Sequence, residues 1–130
     1  MNAPYVLRAG RRLKMHNLFV YGTLREGKLR NSVLANSEFV GKFKTKKKYT
    51  LIDLSAFPGL LKDGKTKVTG ELYKVDNETL AICDQIEGHP NFYFRDYVDL
   101  DNGIEAYAYF LPPKEYDYRP VVKSGDWFKK

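Results

Sequence analysis

The sequence has little of what a disulfide framework, a metal site or a membrane span requires. Its 130 residues include one cysteine, Cys83, and two histidines, His16 and His89. A lone cysteine forms no internal disulfide, and these three side chains show no metal-ligand spacing. No apolar run approaches the roughly 20 residues that a transmembrane helix needs. We therefore expect no metal or other cofactor, no membrane partner and a reducing, cytoplasmic compartment.

The composition is that of a single folded domain. Hydrophobic residues make up 43% of the chain and aromatic residues 15%, with a mean hydropathy of -0.50. Such a chain is too apolar for an intrinsically disordered protein. A length of 130 residues is enough to bury one core and fits one domain.

Much of the positive charge lies near the amino end. The formal net charge is +6, and residues 1–14 carry three arginines, one lysine and no acid, so residues 15–130 keep a charge of +2. This segment lacks the apolar stretch of a signal peptide. We interpret residues 1–14 as a basic arm, either mobile or the result of a start site that belongs at Met15. Residues 15–130 are predicted to form the one domain.

A second group of positive charges falls on a predicted strand. Its members are Lys42, Lys44, Lys46, Lys47 and Lys48. Their partial alternation with Phe43 and Thr45 is typical of one solvated strand face. Edge strands commonly carry lysine, which discourages pairing with other chains. We favour a solvated edge over a track for phosphates, and nucleic acid is therefore not the expected partner.

Several strands can be predicted from local patterns. Residues 17–23 are apolar at Leu18, Phe19 and Val20 without polar alternation, which indicates a central strand covered on both faces. One or two strands are expected within residues 38–54. Asp63-Gly64 predicts a hairpin in which residues 60–62 pair with 65–68, and residues 101–103 predict another between 94–100 and 104–111.

Helical signals are concentrated between residues 76 and 88. Leu80, Cys83 and Ile86 share one face, Asp76 or the next residue can cap the start, and Gly88 can cap the end. A shorter helix is expected within residues 29–35. The tail after residue 113 shows no regular period and is expected to lie over the body of the protein.

Two short stretches raise the question of function. The predicted central strand breaks at Tyr21, Gly22, Thr23 and Leu24, and the predicted helix ends at Glu87. A helix carboxyl end is a poor place for an anion because the last carbonyls carry partial negative charge. Glu87 is either an ordinary surface glutamate or a carboxylate whose raised pKa suits it to accept a proton near neutral pH.

These stretches resemble motifs of the gamma-glutamylcyclotransferase-like superfamily, in the AIG2-like branch that contains gamma-glutamylamine cyclotransferase. The family pattern is a first strand ending in Tyr-Gly-Thr or Tyr-Gly-Ser, then a helix ending in Asp-x-x-Glu, then Tyr-x-Arg. Here these are residues 21–23 (YGT), 84–87 (DQIE) and 93–95 (YFR). The resemblance runs over about residues 18–110. It implies an α+β fold, a small mixed-strand β-barrel with short peripheral helices.

The resemblance also implies an enzyme that acts on small gamma-glutamyl compounds. The substrate's α-amine attacks its own γ-carbonyl, which releases 5-oxoproline and a free amine, and no protein nucleophile is required. Glu87 matches the family's catalytic glutamate, and residues 21–24 match the loop that holds the glutamyl group. Tyr93 and Arg95 are candidates for the pocket wall. Core packing for Tyr93 and an ion pair of Arg95 with Asp96 or Asp99 are the alternatives.

Two other functions remain open from the sequence. One is a non-catalytic protein that binds glutamyl-like metabolites in the same pocket. The other is a small barrel that binds nucleic acid or a protein partner through the lysines and exposed tyrosines. The intact motifs at residues 21–23 and at Glu87 favour the enzyme. The leaving amine and the oligomeric state are not predicted.

Overall fold

The computed structural model describes residues 5–130 of the chain. These residues contain eight strands and two α-helices. The strands are β1 (Tyr5–Arg8), β2 (Arg11–Val20), β3 (Glu38–Lys44), β4 (Tyr49–Asp53), β5 (Pro58–Thr66), β6 (Thr69–Asp76), β7 (Phe94–Asp99) and β8 (Glu105–Phe110). The helices are α1 (Asn77–Glu87) and α2 (Pro113–Tyr116), with 3₁₀ turns at Asn31–Leu34 and Trp127–Lys129.

The strands form one six-stranded sheet and one two-stranded sheet. The larger sheet has the order β3-β6-β2-β8-β7, with β1 paired to β2. Strand β2 is antiparallel to β6 and parallel to β8, so the sheet is mixed. Strands β4 and β5 form the second sheet. The predicted α+β class with mixed strands and short helices is confirmed.

The barrel that the resemblance implies is not closed by a continuous ladder in the described residues. Strands β3 and β7 lie at opposite edges of the larger sheet. Just beyond their ends, Thr45 and Leu100 form an isolated antiparallel bridge. The N–H of Lys46 also donates to the carbonyl of Asp99 at 2.9 Å. The sheet therefore curls until its edges touch at one end.

Strand β2 lies at the centre of the fold, as the sequence predicts. Leu18 and Val20 pack in one hydrophobic cluster, whereas Phe19 packs in a second cluster on the other face. All three side chains are buried because both faces of the strand are covered. The strand ends at Val20, three residues earlier than predicted, and this early end leaves the following loop free to line a cavity.

Helix α1 follows the predicted caps. The Asp76 carboxylate accepts a hydrogen bond from the N–H of Thr79 at 2.8 Å, which satisfies one free donor of the first turn. Gly88 ends the helix in the left-handed conformation with φ of 69°, which a glycine adopts at no steric cost. Leu80 and Cys83 face the core.

The hairpin predicted at Asp63-Gly64 is wrong. Residues 58–66 form the single strand β5, which pairs with β4 rather than folding back on itself. The pairing register shifts so that Tyr49 faces Thr66 while the adjacent Thr50 faces Leu61. Residues 62–65 of β5 therefore have no pairing partner on β4 and form a bulge. The hydroxyl of Thr50 donates a hydrogen bond to the Asp63 carbonyl in this bulge.

The described part of the amino-terminal segment continues the central strand. Residues 5–14 form a hairpin of β1 with the first part of β2, turning at Ala9 and Gly10. Residue 15, the predicted domain boundary, thus lies inside β2, and the first four residues of the predicted arm lie outside the described residues. The lysine-rich strand β3 is an edge strand with Lys42 and Lys44 exposed, as predicted.

A search of the described helices finds none that is long and apolar enough to cross a membrane.

Candidate functional site

A cavity of about 290 Å³ opens where β2, α1 and β5 converge. Its walls contain Tyr21, Gly22, Thr23 and Leu24 from the loop after β2, hereafter the 21–24 loop. Glu87 enters from the end of α1 and Tyr93 from the segment after it. The remaining lining residues are Phe19, Val20, Leu29, Arg30, Ala56, Phe57, Pro58, Ile86, Phe92 and Tyr109. The fold brings six of the seven predicted site residues into one cavity.

The 21–24 loop approaches the neighbouring strand closely. A Cβ atom on Gly22 would lie 2.8 Å from Cγ of Pro58, so no larger residue fits without a shift. The turn is fixed by the N–H of Arg25, which donates to the Gly22 carbonyl at 3.0 Å. Among the described residues, the N–H groups of Gly22, Thr23 and Leu24 have no acceptor. Such free donors can bind a carboxylate or an oxyanion.

Glu87 is the acidic side chain of the cavity. Its side chain is only 11% exposed. Burial raises its pKa from the ordinary value to about 7, and the Arg30 guanidinium partly opposes this shift. Desolvation has this effect because it disfavours the ionised carboxylate. Near neutral pH, Glu87 is therefore able both to accept and to release a proton.

Two buried tyrosines form rigid walls beside Glu87. The Tyr21 hydroxyl donates to the Tyr109 carbonyl at 2.5 Å, and the Tyr93 hydroxyl donates to the Pro58 carbonyl at 2.6 Å. Burial raises the pKa of both hydroxyls, and the Glu87 charge raises them further. Both therefore stay protonated, and their protons are held by backbone carbonyls. They shape the cavity rather than exchange protons.

Arg95 lies outside the lining of this cavity. Its Nε is 3.1 Å from Asp84 Oδ1, in an ion pair whose angle does not make a hydrogen bond. The same carboxylate oxygen accepts a hydrogen bond from the Tyr109 hydroxyl at 2.7 Å. The guanidinium also lies over the ring of Tyr107, 4.5 Å from its centroid. Arg95 thus joins α1 to the back of β8.

The predicted ion-pair partners of Arg95 are wrong. Asp96 pairs with Lys62, and Asp99 pairs with Lys48. His89 accepts a hydrogen bond at Nδ1 from the N–H of Arg95 at 2.8 Å and is not a lining residue.

Sequence reasoning missed the residues that complete the rim of the cavity. Arg30 comes from the segment after the 21–24 loop, and its Nη1 lies 3.7 Å from Glu87 Oε2. Phe57 and Phe92 pack edge to face with ring centroids 6.1 Å apart. Neither Arg30 nor Phe57 belongs to a motif, so no local signal distinguishes them from surface residues. Within residues 5–130, no group of three or more His, Cys, Asp or Glu side chains could hold a metal ion.

Because the pKa of Glu87 is raised in the folded protein, the free energy of unfolding should depend on pH. A group whose pKa is higher in the folded state stabilises the fold below its unfolded pKa, here 4.5, and loses this contribution as the pH rises through about 7. The parent should therefore lose roughly 2 to 3 kcal/mol of unfolding free energy between pH 5 and pH 8 relative to Glu87→Gln. Urea unfolding of both proteins at the two pH values measures this difference. Equal pH dependence in the two proteins would contradict it.

Comparisons with known proteins agree with the geometry. The family model described as gamma-glutamyl cyclotransferase, AIG2-like matches residues 18–129. A provisionally named gamma-glutamylcyclotransferase of Vibrio cholerae is 40% identical over 115 residues, which cover 88% of this chain and 97% of the relative. Another provisionally named gamma-glutamylcyclotransferase, from Methanocaldococcus jannaschii, is 41% identical over 119 residues, which cover 87% of this chain and 96% of the relative.

A solved structure supports the same assignment. The crystal structure of an AIG2-like protein from Mus musculus is similar with a TM-score of 0.72 at 28% identity, and the match covers 86% of this chain and 88% of that one. The sequence match spans nearly the whole domain, including both the 21–24 loop and the end of α1. The chain belongs to the gamma-glutamyl cyclotransferase, AIG2-like family.

Proposed function

We propose that the protein converts a gamma-glutamyl compound into 5-oxoproline and a free amine, with Glu87 as the general base and acid. The observation that carries this proposal is the buried Glu87 carboxylate, whose pKa is raised to about 7, in one cavity with the 21–24 loop. The names of the relatives point to the same class of reaction. The cavity volume of about 290 Å³ suits a small metabolite rather than a folded partner.

The reaction needs one proton carrier and no protein nucleophile. Ionised Glu87 takes a proton from the substrate's α-ammonium, and the free nitrogen attacks the γ-carbonyl carbon. The tetrahedral intermediate carries its negative charge on oxygen, and the free N–H groups of the 21–24 loop are suited to stabilise that charge. As the bond to the leaving nitrogen breaks, Glu87 gives this proton to that nitrogen. The attacking nitrogen must lose a second proton to become the ring N–H of 5-oxoproline, and Glu87 takes that proton and passes it to the departing amine, which leaves as an ammonium. The carboxylate ends the cycle ionised, as it began.

The cavity also favours the folded conformation of the substrate. The attacking amine and the carbonyl belong to one molecule, so the protein gains rate mainly by holding the glutamyl chain bent. Tyr21 and Tyr93 are fixed by hydrogen bonds to backbone carbonyls and leave a cavity of defined shape. A rigid wall lowers the entropy that the substrate must lose in order to cyclise.

The direct test is release of 5-oxoproline from a panel of gamma-glutamyl amines, amino acids and dipeptides, with Glu87→Gln as the matched control. We expect the parent to turn over at least one compound and the variant to release 5-oxoproline from it at least about a hundredfold more slowly. If the parent and the variant bind the panel equally and neither forms product, the protein is a binding protein for glutamyl metabolites instead. Salt-sensitive nucleic-acid binding that is indifferent to Glu87 would point to a binding module.

The pH dependence of the rate provides a second test. kcat/KM should rise with pH through an apparent pKa near 7 and then level off, because the free enzyme needs an ionised Glu87. Arg30 is the charged group that acts on this carboxylate, and Tyr21, Tyr93 and Cys83 are the titratable groups whose pKa values the Glu87 charge raises. A profile measured from pH 5 to 8 that is flat, or that falls, would contradict the assignment of Glu87 as base.

A further inference from the structure

The cavity carries a single positive charge. Among the described residues that line it, only Arg30 and Glu87 are charged, and the others are apolar, aromatic or small. Arg30 belongs to the segment after the 21–24 loop, where its N–H donates to the Thr23 carbonyl at 3.0 Å. Its backbone is therefore tied to the loop, while its side chain reaches across the opening toward the end of α1.

The Arg30 side chain is held only loosely. Its Nη1 lies 3.7 Å from Glu87 Oε2, beyond hydrogen-bond distance, and 3.4 Å from the carbonyl of Ile86. Within residues 5–130 its side chain makes no other hydrogen bond, and 44% of it is exposed. A guanidinium has five N–H donors in a planar fork that matches a carboxylate. Most of these donors have no acceptor within residues 5–130.

The opening of the cavity is where the leaving group must lie. In the proposed reaction the glutamyl half bends against Glu87 and the 21–24 loop, so the departing amine points outward. The walls there are apolar: Leu29 is 90% exposed, and Phe57 and Phe92 form an edge-to-face pair. A leaving group in this position contacts an apolar surface with one cation beside it.

We propose that Arg30 is a specificity residue that selects gamma-glutamyl substrates whose leaving amine carries a carboxylate on an apolar body, as in a gamma-glutamyl apolar amino acid. This inference rests on the proposed cyclotransferase function. Leaving amines without a carboxylate, or with an extra positive charge, lack the pairing with the guanidinium. Arg30 itself exchanges no proton in the cyclisation.

Binding of such a substrate also alters the base. Arg30 lowers the pKa of Glu87 from the value that burial alone gives. When the guanidinium turns to the carboxylate of the leaving group, its interaction with Glu87 weakens and the carboxylate becomes more basic. The selected substrate therefore strengthens the base that acts on it, and the preference should appear in kcat as well as in KM.

The experiment compares two substrates that differ by one carboxylate, gamma-glutamyl-phenylalanine and gamma-glutamyl-phenethylamine. We expect the parent to favour the first by about ten- to a hundredfold in kcat/KM, the range of a charge-assisted hydrogen bond. Arg30→Met should lose most of this preference, so that the ratio of the two kcat/KM values falls toward one. Arg30→Lys should keep part of the preference because it retains the charge without the planar fork.

Lys28→Met is the matched control. Lys28 lies two residues before Arg30 in the same segment, carries the same charge and does not line the cavity. It should leave the ratio of the two substrates unchanged. If the parent shows no preference, or if Arg30→Met lowers both activities equally, Arg30 does not select substrates by the carboxylate of the leaving amine. If the parent releases 5-oxoproline from no compound, the proposed function fails, and this inference fails with it.

Discussion

Glu87→Gln is expected to lower kcat for 5-oxoproline release by about a hundred- to ten-thousandfold, the usual contribution of a positioned general acid-base group. Glutamine keeps the size and shape of the side chain but cannot accept the ammonium proton. KM should change little, because the cavity walls stay in place. Steady-state release of 5-oxoproline by the parent and the variant measures both parameters.

The control for this experiment lies on the same helix. Glu78 is exposed in the first turn of α1, and Glu78→Gln should retain full activity. Because a buried ionised carboxylate destabilises a fold, Glu87→Gln should also unfold at an equal or higher urea concentration than the parent above pH 7. A variant that is folded and still fully active would show that Glu87 is not the base.

Arg25→Met is expected to lower the free energy of unfolding by about 3 to 5 kcal/mol, the range for removal of one partner from a buried ion pair. Arg25 is only 2% exposed. Its Nε lies 3.1 Å from Glu71 Oε2, and its Nη1 lies 2.8 Å from Asp126 Oδ1. Without the guanidinium, two carboxylates that are each 6% exposed lose their counterion. Urea unfolding at pH 7 measures the loss.

A second set of variants tests the cause of that loss. Adding Glu71→Gln and Asp126→Asn to Arg25→Met removes the two unpaired charges and should restore part of the stability. Lys48→Met breaks an exposed ion pair with Asp99 and should cost less than about 1 kcal/mol. If Arg25→Met is no more harmful than Lys48→Met, the buried charges do not stabilise the fold.

The fold was predictable wherever a local pattern determines the structure. Helix α1 and the β7–β8 hairpin depend on neighbouring residues: a carboxylate cap, a closing glycine and a short turn. The antiparallel pairing of β2 with β6 and the parallel contact of β2 with β8 join segments far apart in sequence. At Asp63-Gly64 the local signal favoured a hairpin, but the preceding strand β4 pairs with residues on both sides of this dipeptide.

The residues of the candidate site that belong to sequence motifs were predictable, whereas those brought in by tertiary packing were not. The motifs at residues 21–23 and at Glu87 belong to segments that the fold brings into one cavity. Arg95 was misassigned because Asp99, four residues along the same strand, is about 13 Å away at the strand rise of 3.3 Å per residue. Its partner Asp84 reaches it from α1. Only tertiary packing brings that carboxylate, or Arg30 at the rim, into place.

The anchoring of Arg25 gives the carboxyl end of the chain an influence on the cavity. Arg25 directly follows the 21–24 loop, and Asp126 and the ring of Phe128 hold its guanidinium from the last five residues. Residues near Lys130 thus hold the 21–24 loop in position through Arg25. An affinity tag or fusion partner placed at Lys130, or removal of the last residues by a carboxypeptidase, would disturb the contacts of Arg25 with Asp126 and Phe128. Fusions intended for assay are therefore better joined at the amino end.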